Sequence, residues 1–155
     1  MTFLIEVLNE QDILEADTVR IRAVCEKILE DFHIRSGHLN VVLVDSDTIH
    51  RYNADFLQHD YPTDVISFPM EYRQSDGHLE GEVLACSEVA QDRAKEFGWK
   101  PHEELLLYVV HGLLHLVGFD DKTEELQETM RQKEREYLSF AGVEMPHWNW
   151  DDWET

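Results

Sequence analysis

The chain is short of cysteine, of positive charge and of long apolar runs. Its two cysteines, Cys25 and Cys86, are too few for a disulfide framework, and neither sits in a C-x-x-C pair. A thiolate metal cluster is thereby excluded. Thirteen Lys and Arg stand against 33 Asp and Glu, giving a formal net charge of −20. A protein so acidic does not bind nucleic acid through broad electrostatics, because phosphate affinity comes from neutralisation by Lys and Arg. Any RNA substrate would need a local basic patch, a divalent ion or a partner to offset the repulsion. No apolar run approaches the roughly 20 residues that span a bilayer. The opening stretch M-T-F-L-I-E-V-L-N-E has no positive n-region and turns acidic at once, so no signal peptide is expected there. A cytoplasmic location is the expectation.

What is present suits one domain. The 155 residues are 43% hydrophobic and 30% charged, ordinary for one globular core, and no repeat or internal linker divides them. Phe3–Leu8 alternates as a strand. Apolar residues at 13, 14, 16, 19, 21, 24, 25, 28, 29 and 32 predict a helix over Asp12–Phe32. Leu39–Val44 reads as a strand buried on both faces. Ser46 and Asp47 are candidate caps for a helix to about Leu57. Asp64–Phe68 and Leu79–Cys86 read as further strands, joined through a polar Arg73–His78 connection with Asp76-Gly77 as its turn. Ser87 caps a helix to Phe97, and Gly98 stops it. Pro101 opens the next helix at its first turn. A last helix covers about Lys122–Phe140. The expected fold is α+β: a small mixed four-stranded sheet packed with about five helices, in one domain over 1–155. The segment from about 143 to 155 holds three Trp and reads as an acidic tail, partly docked because wholly exposed indoles are costly.

The chemistry concentrates in residues 111–121, H-G-L-L-H-L-V-G-F-D-D. His111 and His115 are four apart, so on a helix they share a face. Gly118 permits a sharp turn, and Asp121 can return to the same point. Two core histidines would satisfy the spacing alone, but the Gly and Asp at matching offsets favour a three-ligand metal site with an open coordination position. Asp120 and Glu124 are alternative third ligands. The offsets match the zinc-protease pattern H-E-x-x-H-x-x-G-x-x-H, except that Gly112 replaces the Glu general base. Without that carboxylate, peptide hydrolysis lacks its proton acceptor. Metal-assisted attack on a phosphodiester fits better.

The 111–121 segment closely resembles the H-G-x-L-H-L-x-G-Y-D-H signature of the YbeY family, metal-dependent endoribonucleases of bacterial rRNA maturation. Residues 60–69, D-Y-P-T-D-V-I-S-F-P, resemble the family's D-x-P-T-D-V-L-S-F-P, and residues 81–98 its G-D-I segment and following helix. The resemblance covers roughly residues 40–140. It implies an α+β fold, one divalent metal with zinc foremost (nickel, manganese or iron being alternatives), and hydrolysis of single-stranded RNA. It further implies a role in small-subunit rRNA processing and ribosome quality control, with ribosomal small-subunit proteins or an assembly GTPase as partners. Thr63, Asp64 and Ser67 are candidates to line the cleft, with Thr63 and Asp64 equally able simply to shape the turn into the strand. By analogy with the family Glu82 stands near the site as a proton carrier or a support for the ligands, or else is a solvated strand residue. Asp64 and Glu82 are the catalytic candidates; Thr63, Ser67 and His59 are the substrate-binding ones.

The chain departs from the family at two positions. Asp121 stands where the family has a third ligand histidine. A carboxylate is harder than imidazole, reduces Lewis acidity and shifts preference toward manganese or iron. Leu57 stands where the family has an Arg, so no catalytic Arg is assigned; His59 and Arg51 are the candidates to substitute. The competing classes are a metalloprotease-like or other metallohydrolase, and a ribosome-assembly binding module whose metal is structural.

Overall fold

A computed structural model describes residues 2–57 and 64–145. The chain runs β1 (Thr2–Asn9), α1 (Thr18–Asp31), β2 (Ser36–Val44), α2 (Ser46–Leu57), β3 (Val65–Arg73), β4 (His78–Cys86), α3 (Ser87–Phe97), α4 (Pro101–Leu116) and α5 (Glu124–Phe140), with a 3-10 turn at Gln74–Asp76. The strands form one mixed sheet in the order β1-β2-β4-β3. β1 and β4 flank β2 in parallel, and β3 pairs antiparallel with β4. This is the expected α+β layout.

Alternation along the strands builds two apolar layers. Leu39, Val41 and Leu43 of β2, with Leu79, Val83 and Ala85 of β4, face α1, α4 and α5. Val42, Val44, Leu84 and Cys86 face the other way, onto Ile49 and Tyr52 of α2. α4 is apolar nearly all round and therefore central; every residue from Glu104 to Leu114 is buried. It lies close on the sheet because two glycines let it. A Cβ on Gly112 would sit 2.6 Å from Val83 Cγ1 and 3.1 Å from Ser67 Oγ, and one on Gly81 2.8 Å from Leu116 Cδ1. The first contact would press the helix away from the sheet, and the second would displace the Leu116 side chain.

Helix starts differ from the sequence expectation, each for a local reason. α1 begins at Thr18 rather than Asp12. The Gln11 side chain accepts from the Ile13 and Leu14 N–H groups (3.0 Å each) and holds that segment as a turn, and Asp17 caps the helix by accepting from Arg20 N–H (3.0 Å). Leu14 and Ala16 still pack on the core, which is why the apolar period ran past the true start. Asp45, ahead of Ser46 and Asp47, accepts from Thr48 N–H at 2.8 Å. Ser87 is not a cap but the first residue of α3; its hydroxyl donates to the Val44 carbonyl (3.0 Å). β3 is longer than expected because a bulge between Pro69 and Glu71 carries it on to Arg73. Of the expected tail, Val143 is buried and Met145 packs on the core; residues 146–155, with their three Trp, lie outside the described residues.

One carboxyl in this core titrates abnormally. Glu104 is fully buried and accepts from Trp99 Nε1–H at 2.7 Å. Burial pushes it up to about 7, against hydrogen bonds from Tyr108 and Trp99 and the charge of Arg93; Asp64 adds to the rise. The folded state thus holds a proton that the unfolded chain, with a carboxyl near 4.5, has released. Glu104 contributes most below pH 4.5, and its contribution fades as pH rises through 7. Glu104→Gln keeps an acceptor for Trp99 without the charge. Denaturant unfolding at pH 5 and pH 8 should show the variant gaining on the wild type at the higher pH, by on the order of 2–3 kcal/mol.

Candidate metal centre

His111 and His115 occupy the last turns of α4, pressed toward α5 by the sheet behind them. The helix ends at Leu116, and Gly118, at φ 107°, turns the chain back. Asp120 shapes that turn: its Oδ1 accepts from the Asp121 N–H (2.6 Å) and the Lys122 N–H (3.2 Å). Asp121 is then aimed at the histidines. Its Oδ2 lies 3.6 Å from Nε2 of both His111 and His115, and the two Nε2 atoms are 3.1 Å apart. Two imidazoles and a carboxylate share one point, all donor atoms within 4.8 Å of one another. Neither Asp120 nor Glu124 joins that group among the described residues.

A second layer holds the first. Nδ1 of His111 is 2.6 Å from Oε2 of Glu134, a fully buried carboxyl on α5. A carboxylate only accepts, so Nδ1 carries the proton and the lone pair of Nε2 faces Asp121 and His115. Arg131, also buried, pairs with the other Glu134 oxygen. The long contact with Asp121 holds His115 above its ordinary value, against its partial burial. In return His115, then the His111 and Arg131 charges, hold Asp121 below the usual carboxylate range despite desolvation. Asp121 is thus kept ionised, as a ligand must be. The donor set fits a tetrahedral divalent ion with one position left open.

The other sequence candidates scatter. Ser67 is half-buried on β3 and donates to the Gly112 carbonyl (2.9 Å), tying the sheet to α4 between the two histidines. Asp64 stands just before β3. Its Oδ1 accepts from Val65 N–H (2.8 Å), and its charge is felt by Glu104 and Tyr108 in the first half of α4. Glu82 alternates with Gly81 and Val83, which touch α4. It therefore points from the opposite face of the sheet, away from the histidines. Arg51 is exposed on α2, its guanidinium 3.5 Å from Thr48 Oγ1. His59 and Thr63 lie outside the described residues. Sequence reasoning missed Glu134 and Arg131. The signal was there: Met130, Glu134, Tyr137 and Leu138 are spaced i, i+4, i+7, i+8, so Glu134 fills a core slot of an otherwise apolar stripe.

Residues 6–142 match the family model described as Endoribonuclease YbeY. Among curated proteins, an Endoribonuclease YbeY of Salinibacter ruber is 40% identical over 132 residues, covering 81% of this chain and 83% of that protein. One of Carboxydothermus hydrogenoformans is 36% identical over 141 residues, covering 90% and 98%. One of Rhodopirellula baltica is 48% identical over 118 residues, covering 75% of this chain; the match spans only 60% of that longer protein. The solution structure of TM1509 from Thermotoga maritima aligns with a TM-score of 0.59 at 31% identity, over 88% of this chain and 90% of that one.

The Glu134 contact makes a specific prediction. Competition against a chromophoric chelator should show Glu134→Ala binding zinc roughly 10–100-fold more weakly than wild type, with His111, His115 and Asp121 all intact. Glu134→Gln, which can still accept from Nδ1, should recover much of that loss. Unchanged affinity in Glu134→Ala would show that His111 needs no such support.

Proposed function

The chain belongs to the YbeY endoribonuclease family, and from that premise we propose that it is a metal-dependent hydrolase cleaving single-stranded RNA. His111, His115 and Asp121 hold one divalent ion. The observation that carries this reading is the convergence of their three donor atoms on one point, with His111 fixed from behind by Glu134. The bound ion supplies Lewis acidity, making water a nucleophile near neutral pH and screening charge that develops on the phosphodiester. The chain's own contribution is to fix His111 with its Nε2 lone pair toward the ion, to keep Asp121 ionised, and to shield His111 from solvent.

Gly112 supports phosphodiester over peptide chemistry. At the position where zinc proteases carry their Glu, any side chain would run into Val83, so no general base can stand there. Zinc is the ion proposed first; the carboxylate at 121 leaves manganese, iron and nickel in competition. The substrate proposed is rRNA during small-subunit maturation and quality control in the cytoplasm, with small-subunit proteins or an assembly GTPase as partners. That setting also answers the charge problem, since a chain of net charge −20 gains RNA through the ion and through partners rather than through its own surface. Asp64, Ser67, Thr63 and His59 remain the proposed catalytic and substrate-contacting residues around that ion; Glu82, on the opposite face of the sheet, is not among them. Of these, Ser67 has the clearest support, through its bond to the backbone between the ligands. No helix among the described residues is long and apolar enough to cross a membrane.

The test is cleavage of single-stranded and duplex RNA by metal-loaded protein. Wild type and Asp121→His should cut the single strand in preference to the duplex. His115→Ala and Asp121→Ala should lose roughly two orders of magnitude or more. Cleavage that survives both chelation and His115→Ala would overturn the reading.

A further inference from the structure

α2 covers only one end of its side of the sheet, where Val44, Ile66, Leu84 and Cys86 meet Ile49. Among the described residues the other end is open: Leu4 of β1 is 55% exposed there. Across this open end the register sets His38 beside Glu80 and Ser36 beside His78. It also sets Glu71 beside Glu80. These residues gather three potential ligands. His78 Nε2 is 2.8 Å from Glu80 Oε2 and 3.9 Å from Glu71 Oε2. The donor atoms of all three lie within 4.8 Å of one another.

Two features make this more than a group of surface acids. The first is a bulge. Along β3, Ile66 and Phe68 face α2, so strict alternation would put Met70 on the open face and Glu71 on the face of α4. The extra residue between Pro69 and Glu71 reverses the alternation beyond it. Tyr72 consequently packs on the α4 side, and Glu71 reaches the open face beside His78. The second is the hold on His78. Its side chain is only 18% exposed, and its Nδ1 is 2.7 Å from the Ser36 hydroxyl on β2. A carboxylate only accepts, so without an ion Nε2–H donates to Glu80 and the Ser36 hydroxyl donates to Nδ1. A cation would take the place of the Nε2 proton, and the same hydroxyl can then accept from Nδ1–H, the part Glu134 plays for His111 at the α4 centre. Arg73 engages the other Glu71 oxygen and, through Nε–H, Asp76 (2.8 Å). It thereby fixes Glu71 with Oε2 turned toward His78.

We propose that Glu71, His78 and Glu80 form a second divalent-cation site, on the opposite face of the sheet from His111, His115 and Asp121. One imidazole and two carboxylates suit a borderline ion of the zinc, cobalt or manganese kind, with its remaining positions open to water. The ion links β3 to β4 directly and to β2 through Ser36. It therefore fastens the antiparallel edge of the sheet. The site is independent of the proposed nuclease chemistry and stands or falls separately from it.

Calorimetric titration of chelator-stripped, full-length protein with Zn²⁺ tests it, using wild type, His78→Ala, Glu80→Gln, His115→Ala and the His115→Ala/Glu80→Gln double variant. Wild type should take up one more equivalent than His78→Ala or Glu80→Gln. His115→Ala should keep the equivalent that those two lose, and the double variant should lose both. Zn²⁺ should also raise the Tm of His115→Ala but not that of the double variant. Glu80→Gln changes one exposed oxygen to an amide, so it reports even if His78→Ala folds poorly. Equal stoichiometry in wild type, His78→Ala and Glu80→Gln would overturn the proposal and leave His78 as an ordinary ion-pair partner of the two glutamates.

Discussion

A single hydrogen bond between two helices orders the centre: Nδ1 of His111 to the buried carboxylate of Glu134, at 2.6 Å. It sets the imidazole tautomer, fixes the ring and joins α5 to α4. Glu134 can sit where water does not reach only because Arg131 pairs with it and His111 donates to it; a buried carboxylate without such partners would cost several kcal/mol. The pair gains its geometry from the sheet. Gly112 and Gly81 let α4 settle close on β3 and β4, and Ser67 fastens the helix backbone at Gly112. With α4 so placed, His111 and His115 have one direction to point, and the turn at Gly118 returns Asp121 to meet them.

Much of the architecture was readable from sequence because its periods are plain. The doubly apolar run Leu39–Val44 is a central strand with one set of residues on each layer, and Pro101 and the glycine at 118 bracket the α4 region as expected. Errors arose where a side chain overrode a period. Gln11 captured two backbone N–H groups and kept residues 12–17 out of α1. The bulge after Pro69 flipped the faces of β3, which no alternation count could foresee. In the candidate site, His111, His115 and Asp121 were legible because local spacing brings them together. Glu134 was not, because it arrives from a different helix 23 residues later and its pairing is a tertiary fact. Glu82 failed differently: proximity along the chain to a resembling segment said nothing about which sheet face it would take.

Charge sets the limits on function. An acidic surface repels RNA, so affinity must be concentrated at a few points, and a divalent ion is the strongest point charge available. Asp121 in place of a third imidazole makes the set more negative by one. That strengthens the hold on a hard cation while lowering the ion's acidity. With Asp121 as the proposed third ligand, the chain would trade some Lewis acidity for retention of the ion, and Arg131 behind Glu134 offsets part of the added negative charge.

The central claim is that two imidazoles and one aspartate, and not another carboxylate of the same turn, hold the ion. Anomalous diffraction from crystals of zinc-loaded protein measures this directly. The account predicts a peak about 2.0–2.2 Å from His111 Nε2, His115 Nε2 and an Asp121 carboxylate oxygen. It also predicts His111 Nδ1 still bonded to Glu134. A peak ligated by Asp120 or Glu124 in place of Asp121, or no peak between the two histidines, would contradict it.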